Sequence, residues 1–339
     1  MGPAPRIDNS RFEIIGQDGG QSIPLDDGRS LFVFSDTLLR AAPRSDGSGS
    51  ASRGLFLPNC AAIGRGSQLI AALRSSKFFE DDAGLPRPLL PATVIERLQR
   101  VRFWPEHGIA VGGRVYLYYL GIHHFDDRET WSFKLEGSGL AVLDIQTGEA
   151  VRVEGPRGWA LWPAGEEKRH FGVQVLRSGE HALIYVTVAT DLGRRARLYR
   201  APLADLTNLA RYQRLASVGA GASAAAPVWS SADSPDRQAH DLGPCGTECS
   251  VSFNPQLGGY LMCYVAPDDG SLQLRLAKHP WGPFSAPVNA GVLPRSPGSE
   301  LVYLGFQHPQ FAEQDGQTIL VSYCQPHFVR NQILKVSFA

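Results

Sequence analysis

The stretch GQDGGQSIPLDDGRSLFVFSDTLL, residues 16–39, places two apolar segments on either side of the tight turn Asp26-Asp27-Gly28. Such a turn is typical of a hairpin between antiparallel strands. The same strand–turn–strand order recurs in RFWPEHGIAVGGRVYLYYLGIHH (102–124), RHFGVQVLRSGEHALIYVTVATD (169–191), ECSVSFNPQLGGYLMCYVAPDDG (248–270) and FQHPQFAEQDGQTILVSYCQP (306–326). Five similar antiparallel units indicate radial repetition, an arrangement that leaves few exposed sheet edges.

The repeats therefore predict an all-β protein, a single five-bladed β-propeller over residues 1–339. A repeat fold can hold all 339 residues in one domain, and the 43% of them that are hydrophobic are enough for a sizeable core. The fifth unit lacks a fourth strand, and residues 11–15 (RFEII) are the candidate that closes the ring. The predicted blades are residues 16–75, 98–155, 168–216, 245–292 and 303–339.

The charge balance argues against a polyanionic partner. Lys plus Arg and Asp plus Glu both number 33, and no long basic run occurs. We therefore expect no binding to nucleic acid or to a membrane surface. No stretch reaches the roughly 18 apolar residues that a membrane span needs. We expect a soluble monomer, secreted if a leader was removed and cytoplasmic otherwise, so the compartment stays open.

Cysteine and histidine patterns predict neither a metal site nor a cofactor. The five cysteines form no CxxC pair, and most lie in apolar strands, as buried thiols do. Residues 123–127 (HHFDD) are the densest group of potential ligands. Adjacent residues of a strand point to opposite faces, so His123 and His124 cannot easily share one ion. A loop that lines the cleft is the favoured interpretation of this segment.

The residues that open the units are polar or aromatic: Asp18, Trp104, His170, Glu248 and His308. In a propeller, the starts of the inner strands converge on the axis. The sequence therefore predicts one shared pocket for these side chains.

Six segments stand out along the chain, and they are DGG (18–20), LFVFSDT (31–37), ARLYRAP (196–202), ECSVSFNPQLGGYLMCY (248–264), WGPFSAPV (281–288) and HPQF (308–311). In this order they resemble a family of bacterial five-bladed propellers that was long described as a domain of unknown function and includes endo-D-arabinanases. The resemblance implies a glycoside hydrolase whose catalytic pair corresponds to Asp18 and Asp36. Ser35 stands where that family commonly has a glycine.

Hydrolysis of a glycosidic bond requires two carboxyl groups that face it. Asp18 precedes two glycines, where the backbone can approach a ligand closely. Glu248, directly before an apolar strand, is either a proton donor or a group that raises a neighbouring carboxyl pKa. Each of these acids can instead be a turn, cap or structural residue. The candidate substrate contacts are Trp104, Glu106, His170, His308 and Asn59.

Two other functions stay open. A lectin-like propeller would bind carbohydrate without cleaving it, and it would need aromatic and amide side chains rather than clustered acids. A protein-interaction scaffold would present an apolar patch on one face of the disc. The carboxylate set favours a hydrolase, and the resemblance implies a furanose-containing polysaccharide or oligosaccharide such as D-arabinan as its substrate.

Overall fold

The computed structural model describes residues 2–3, 12–41, 54–126, 129, 131–219, 226–232, 239–326 and 331–338. Two short α-helices lie among the strands, α1 (Leu69–Arg74) and α2 (Val94–Leu98). The strands, in chain order, are β1 (Gly2–Pro3), β2 (Phe12–Pro24), β3 (Arg29–Ala41), β4 (Leu55–Leu57), β5 (Cys60–Arg65), β6 (Lys77–Phe78), β7 (Val101–Val111), β8 (Arg114–His124), β9 (Phe133–Asp144), β10 (Ala150–Arg152), β11 (Trp162–Pro163), β12 (His170–Ser178), β13 (His181–Thr190), β14 (Gly193–Pro202), β15 (Gln213–Val218), β16 (Pro227–Ser231), β17 (Ser250–Asn254), β18 (Gly259–Val265), β19 (Ser271–Ala277), β20 (Val288–Val292), β21 (Tyr303–Gln307), β22 (Thr318–Cys324) and β23 (Gln332–Ser337).

These strands form five antiparallel sheets, which are the five blades of a β-propeller. The sheet orders are β2-β3-β5-β6, β7-β8-β9-β10, β12-β13-β14-β15-β16, β17-β18-β19-β20 and β21-β22-β23-β1, with β4 beside β3 and β11 beside β9. The first strand of each sheet contacts the first strand of the next in the succession β2, β7, β12, β17 and β21, and β2 contacts β22. The predicted fold is confirmed.

The ring is closed by the two-residue strand β1. Gly2 pairs with Ile333 and Pro3 with Gln332, so the N-terminal strand becomes the outer strand of the fifth blade. The prediction that residues 11–15 close the ring is wrong. Phe12 pairs with Ala41 inside the first blade, where β2 is an inner strand of 13 residues. Arg11 lies outside the described residues.

The hydrophobic core is divided into clusters between adjacent blades. Leu31 and Val33 of the first blade pack with Phe103 and Leu117 of the second. Four comparable clusters fill the other interfaces between blades. Because each blade buries both faces against its neighbours, the inner strands are held in fixed positions around the axis. No helix in the described part of the chain is long and apolar enough to cross a membrane.

Asn59, predicted as a substrate contact, instead links the first two blades. Its side chain is fully buried. Its Nδ2 donates to the carbonyl oxygens of Leu90 (3.2 Å) and Phe103 (2.9 Å), and its Oδ1 accepts from the Leu90 amide (2.7 Å). All the hydrogen-bonding groups of the amide are thus engaged with backbone.

We expect Asn59→Ala to lower the free energy of unfolding by about 2–4 kcal/mol, because three buried backbone groups lose their partner. Equilibrium denaturation in urea measures this loss. The matched control is Asn208→Ala, because Asn208 is exposed and its side chain makes no capping hydrogen bond. Equal stability of the two variants would contradict the structural role of Asn59.

Candidate active site

A pocket of about 600 Å³ opens at the axis, and all five blades contribute to its wall. The lining residues from the inner strands lie inside β2 and β7 and at or near the starts of β12, β17 and β21. The polar and aromatic lining residues include Asp18, Gln21 and Ser35 from the first blade, Trp104, Glu106, Phe133 and Lys134 from the second, Lys168, His170 and Arg194 from the third, Thr247 and Glu248 from the fourth, and Tyr303 from the fifth.

A β-bulge, with two residues of β3 opposite one residue of β2, lies at Asp18, which lines this pocket. The register of β2 and β3 shifts twice around Gly19, whose φ of 81° favours glycine. The two carboxylate oxygens accept hydrogen bonds from the Gly19 amide (2.7 Å) and the Tyr303 hydroxyl (2.9 Å). Burial raises the pKa of Asp18, and these hydrogen bonds oppose the rise. Donors from the first and fifth blades therefore fix the orientation of this carboxyl.

Asp36 lies across the sheet from Asp18. Gln17 pairs with Thr37 and Gly19 with Phe34, so the bulge places Asp18 opposite Ser35 and Asp36. The Asp36 carboxylate accepts a hydrogen bond from Trp104 Nε1 (3.0 Å) and lies 3.7 Å from the Arg102 guanidinium. Burial, with a further contribution from Asp18, raises the pKa of Asp36 to about 7, although Arg102 and Trp104 oppose this rise.

Glu106, His170 and Glu248 form a compact group on three neighbouring blades. One ligand atom from each lies within 4.8 Å of those of the other two. The Nδ1 of His170 is 3.9 Å from Glu106 Oε1. Burial, then the charges of Glu248 and Asp18, raise the pKa of Glu106 well above its ordinary value. Burial and Asp18 raise the pKa of Glu248 to about 7, and burial lowers the pKa of His170 to about 3.

Aromatic side chains surround the mouth of the pocket. Trp131, which is 45% exposed, packs edge-on against Tyr303 with ring centroids 6.1 Å apart. Phe133 makes a similar contact with Trp104 at 5.0 Å. Rings that offer a face to solvent beside polar groups suit ligands that have both apolar and hydroxyl surfaces, as sugars do.

The structure does not bring His308 into the pocket. His308 follows the end of β21, and its ring contacts the hydroxyls of Ser22 (2.7 Å) and Ser322 (3.0 Å). It lines a separate, smaller cavity of about 260 Å³. The expectation that His308 opens the fifth inner strand is wrong, because that strand begins at Tyr303, and Tyr303 is the pocket residue of the fifth blade.

Comparison with protein families gives a match over residues 4–327 to the family described as Domain of unknown function (DUF4185). The chain belongs to the DUF4185 family. A search of the curated proteins found no match.

Solved structures similar to this DUF4185 chain share its fold at low sequence identity. A candidate hydrolase from Bacteroides ovatus is 14% identical, with a TM-score of 0.65, and the match covers 94% of this chain and 85% of that one. A Bombyx mori GH32 β-fructofuranosidase, solved in complex with sucrose, is 12% identical, with a TM-score of 0.51. That match covers 98% of this chain and 61% of the other. At these identities the likeness extends to the fold alone.

Sequence reasoning missed several lining residues of the DUF4185 pocket. Tyr303 stands at the start of the apolar run YLGFQ, as Trp104 stands near the start of β7, so the pattern of the other units could have found it. Arg194 is the second residue of β14, the third strand of its blade, rather than part of the first strand. Trp131 lies in a connection that carries no periodic signal.

His123 and Asp126 do not join the compact group of ligands among the described residues, and Asp127 lies outside those residues.

The raised pKa of Asp36 predicts that its ionisation destabilises this DUF4185 protein. The unfolded carboxyl has a pKa near 3.8 and the folded one about 7. The contribution of the neutral Asp36 carboxyl to the free energy of unfolding is therefore complete below pH 3.8, and it is lost as the pH rises towards 7. We expect the free energy of unfolding of Asp36→Asn to fall less between pH 5 and pH 8 than that of the wild type, by about 2 kcal/mol.

Urea denaturation at the two pH values measures this difference. Asp82→Asn is the control, because Asp82 is exposed. The same pH dependence in the wild type and in Asp36→Asn would mean that Asp36 has an ordinary pKa in the folded protein.

Proposed function

We propose that this protein is a glycoside hydrolase that cleaves a furanose-containing polysaccharide, with D-arabinan as the substrate that the resemblance of its motifs implies. The observation that carries the proposal is the proximity of Asp36 to Asp18. Asp18 lines the pocket, and Asp36, which is not among the lining residues, is hydrogen-bonded to the lining residue Trp104. The bulge between β2 and β3 sets the two aspartates opposite each other on neighbouring strands. Two carboxyl groups beside one glycosidic bond are what acid–base hydrolysis requires.

Asp36 is the proposed proton donor. Its pKa of about 7 keeps a large fraction of the carboxyl protonated near neutral pH. Trp104 Nε1 holds one of its oxygens at 3.0 Å, which fixes the direction of the carboxyl. A proton transferred from Asp36 to the glycosidic oxygen would let the sugar depart as an alcohol.

Asp18 is the proposed nucleophile or base. Burial raises the pKa of Asp18, and the Gly19 amide and the Tyr303 hydroxyl, which both donate to its carboxylate, oppose this rise by favouring the charged form. An ionised Asp18 would attack the anomeric carbon or remove a proton from the attacking water. The distance between the Asp18 and Asp36 carboxyl groups in a substrate complex decides whether Asp18 attacks directly or activates water.

The other pocket residues have supporting roles in this proposal. The charge of Glu248 raises the pKa of Glu106, and Glu248 also interacts with Asp18. Trp104 orients Asp36, and Trp131 offers a ring face on which a sugar can stack. Glu106 and His170 line the same pocket. Asn59 and His308 are not included, because both engage the protein interior.

A lectin-like propeller is the competing function, and the carboxyl groups argue against it. Burial raises the pKa values of Asp18, Asp36, Glu106 and Glu248 together. Concentrating desolvated acids lowers stability, and a site that only binds neutral sugars gains nothing from such groups. Perturbed acids in a cleft are instead typical of catalytic sites.

We expect Asp18→Asn and Asp36→Asn each to reduce turnover of D-arabinan at least about 10²–10⁴-fold, because an amide matches the carboxyl in size but cannot exchange its proton. Glu248→Gln is expected to lose less, since Glu248 acts through the pKa values of its neighbours. Release of reducing ends from purified arabinan measures the rates.

Asp82→Asn, an exposed carboxyl outside the pocket, is the matched control and should retain wild-type turnover. Near-normal activity in a folded Asp18→Asn variant would refute the assignment. Wild-type protein that binds arabinan or related glycans and cleaves none of them would establish the lectin-like function instead.

A further inference from the structure

Glu106, His170 and Glu248 form an arrangement that the proposed hydrolysis does not use directly. Glu106 lies in the middle of β7, at its register shift, whereas His170 begins β12 and Glu248 lies two residues before β17. The closure of the ring brings these three blades together. One ligand atom of each lies within 4.8 Å of those of the other two. No other group of three or more histidine, cysteine or acidic side chains among the described residues has this spacing.

Two of these side chains are buried with an unsatisfied polar atom. Glu106 is 3% exposed and His170 8% exposed. Within the described part of the chain, Glu106 Oε2 and His170 Nδ1 have no hydrogen-bond partner. Buried polar atoms in native proteins are nearly always paired with protein, water or an ion. Both atoms belong to the group that faces the pocket, which therefore offers space for such a partner.

Carboxyl groups dominate the surroundings of this group. The titratable side chains that act most strongly on Glu106 are Glu248 and Asp18, which are both carboxyls. Arg194 acts on Glu248, but its guanidinium also donates to the Lys168 carbonyl oxygen at 2.7 Å. A dication would balance the charges of Glu106 and Glu248.

We propose that Glu106, His170 and Glu248 bind a divalent transition-metal cation, such as Zn²⁺ or Mn²⁺, in the wall of the pocket. Imidazole nitrogen and carboxylate oxygen bind such ions at about 2.0–2.2 Å. Two ligands of one four-coordinate ion therefore lie about 3.4 Å apart. The 3.9 Å between His170 Nδ1 and Glu106 Oε1 exceeds this separation by about 0.5 Å, so a small side-chain movement would accompany binding of the ion. An imidazole ligand favours these ions over Ca²⁺, which prefers an all-oxygen shell.

Such an ion would have three ligands from the protein and open positions towards the pocket. Three protein ligands with an open position are typical of metal sites that also bind water or a ligand. Because the three ligands belong to three blades, the bound ion would also tie the inner strands together at the axis. The proposal concerns ion binding and does not depend on hydrolysis of a glycan.

The test is ion binding by the full chain after removal of metal with EDTA. Equilibrium dialysis against ZnCl₂, MnCl₂ and CaCl₂, followed by elemental mass spectrometry, gives the stoichiometry and affinity for each ion. We expect one Zn²⁺ or Mn²⁺ per chain, weaker binding of Ca²⁺, and a rise in the thermal unfolding temperature with the bound ion.

Glu106→Gln and His170→Gln should each weaken the binding at least about tenfold, since each removes one of three ligands. His181→Gln and Glu149→Gln are the matched controls, because both residues lie outside the pocket, and both should bind as the wild type does. Circular dichroism verifies that each variant is folded. Wild-type protein that takes up none of these ions would overturn the proposal. Uptake that is unchanged in folded Glu106→Gln and His170→Gln would place the ion elsewhere and overturn it equally.

Discussion

Closure of the five blades into a ring is the constraint on which the rest of this structure depends. Each blade is covered on both faces by its neighbours, and the interfaces between blades hold the apolar core. The inner strands consequently begin close to one axis. Side chains that are distant in sequence, such as Asp18 and Glu248, thereby share one partly desolvated pocket. The raised pKa values of these acids follow from that convergence, because burial and mutual repulsion both disfavour the charged forms.

The blades and most of the pocket acids could be predicted from the sequence, because both follow from the repeat. Period-2 alternation and turn residues mark each hairpin, and the polar residue before an apolar run marks the start of an inner strand. His170 and Glu248 lie at or just before strand starts, as predicted. Asp18, Trp104 and Glu106 line the pocket too, but the prediction that they open their strands is wrong, because β2 begins at Phe12 and β7 at Val101. The proximity of Asp36 to the pocket came from the resemblance to a family and agrees with the pairing of β2 and β3.

The remaining features depend on tertiary contacts that local patterns do not encode. Gly2–Pro3 closes the ring through pairing with β23, and two residues carry no periodic signal. His308 resembles the opening residue of a unit, but β21 had already begun at Tyr303. Asn59 is polar within an apolar run because three backbone groups between blades need its amide. A buried polar residue can thus satisfy the fold as well as a ligand, and only the structure separates the two.

A crystal structure of Asp18→Asn with an arabinan oligosaccharide tests the central claim most directly. The account predicts sugar units that cross the axial pocket, with one glycosidic oxygen within about 3 Å of the Asp36 carboxyl and the adjoining anomeric carbon facing residue 18. It also predicts a sugar ring stacked on Trp131. An oligosaccharide seated outside the pocket, or one that crosses it with no glycosidic bond within reach of both residues, would contradict the account.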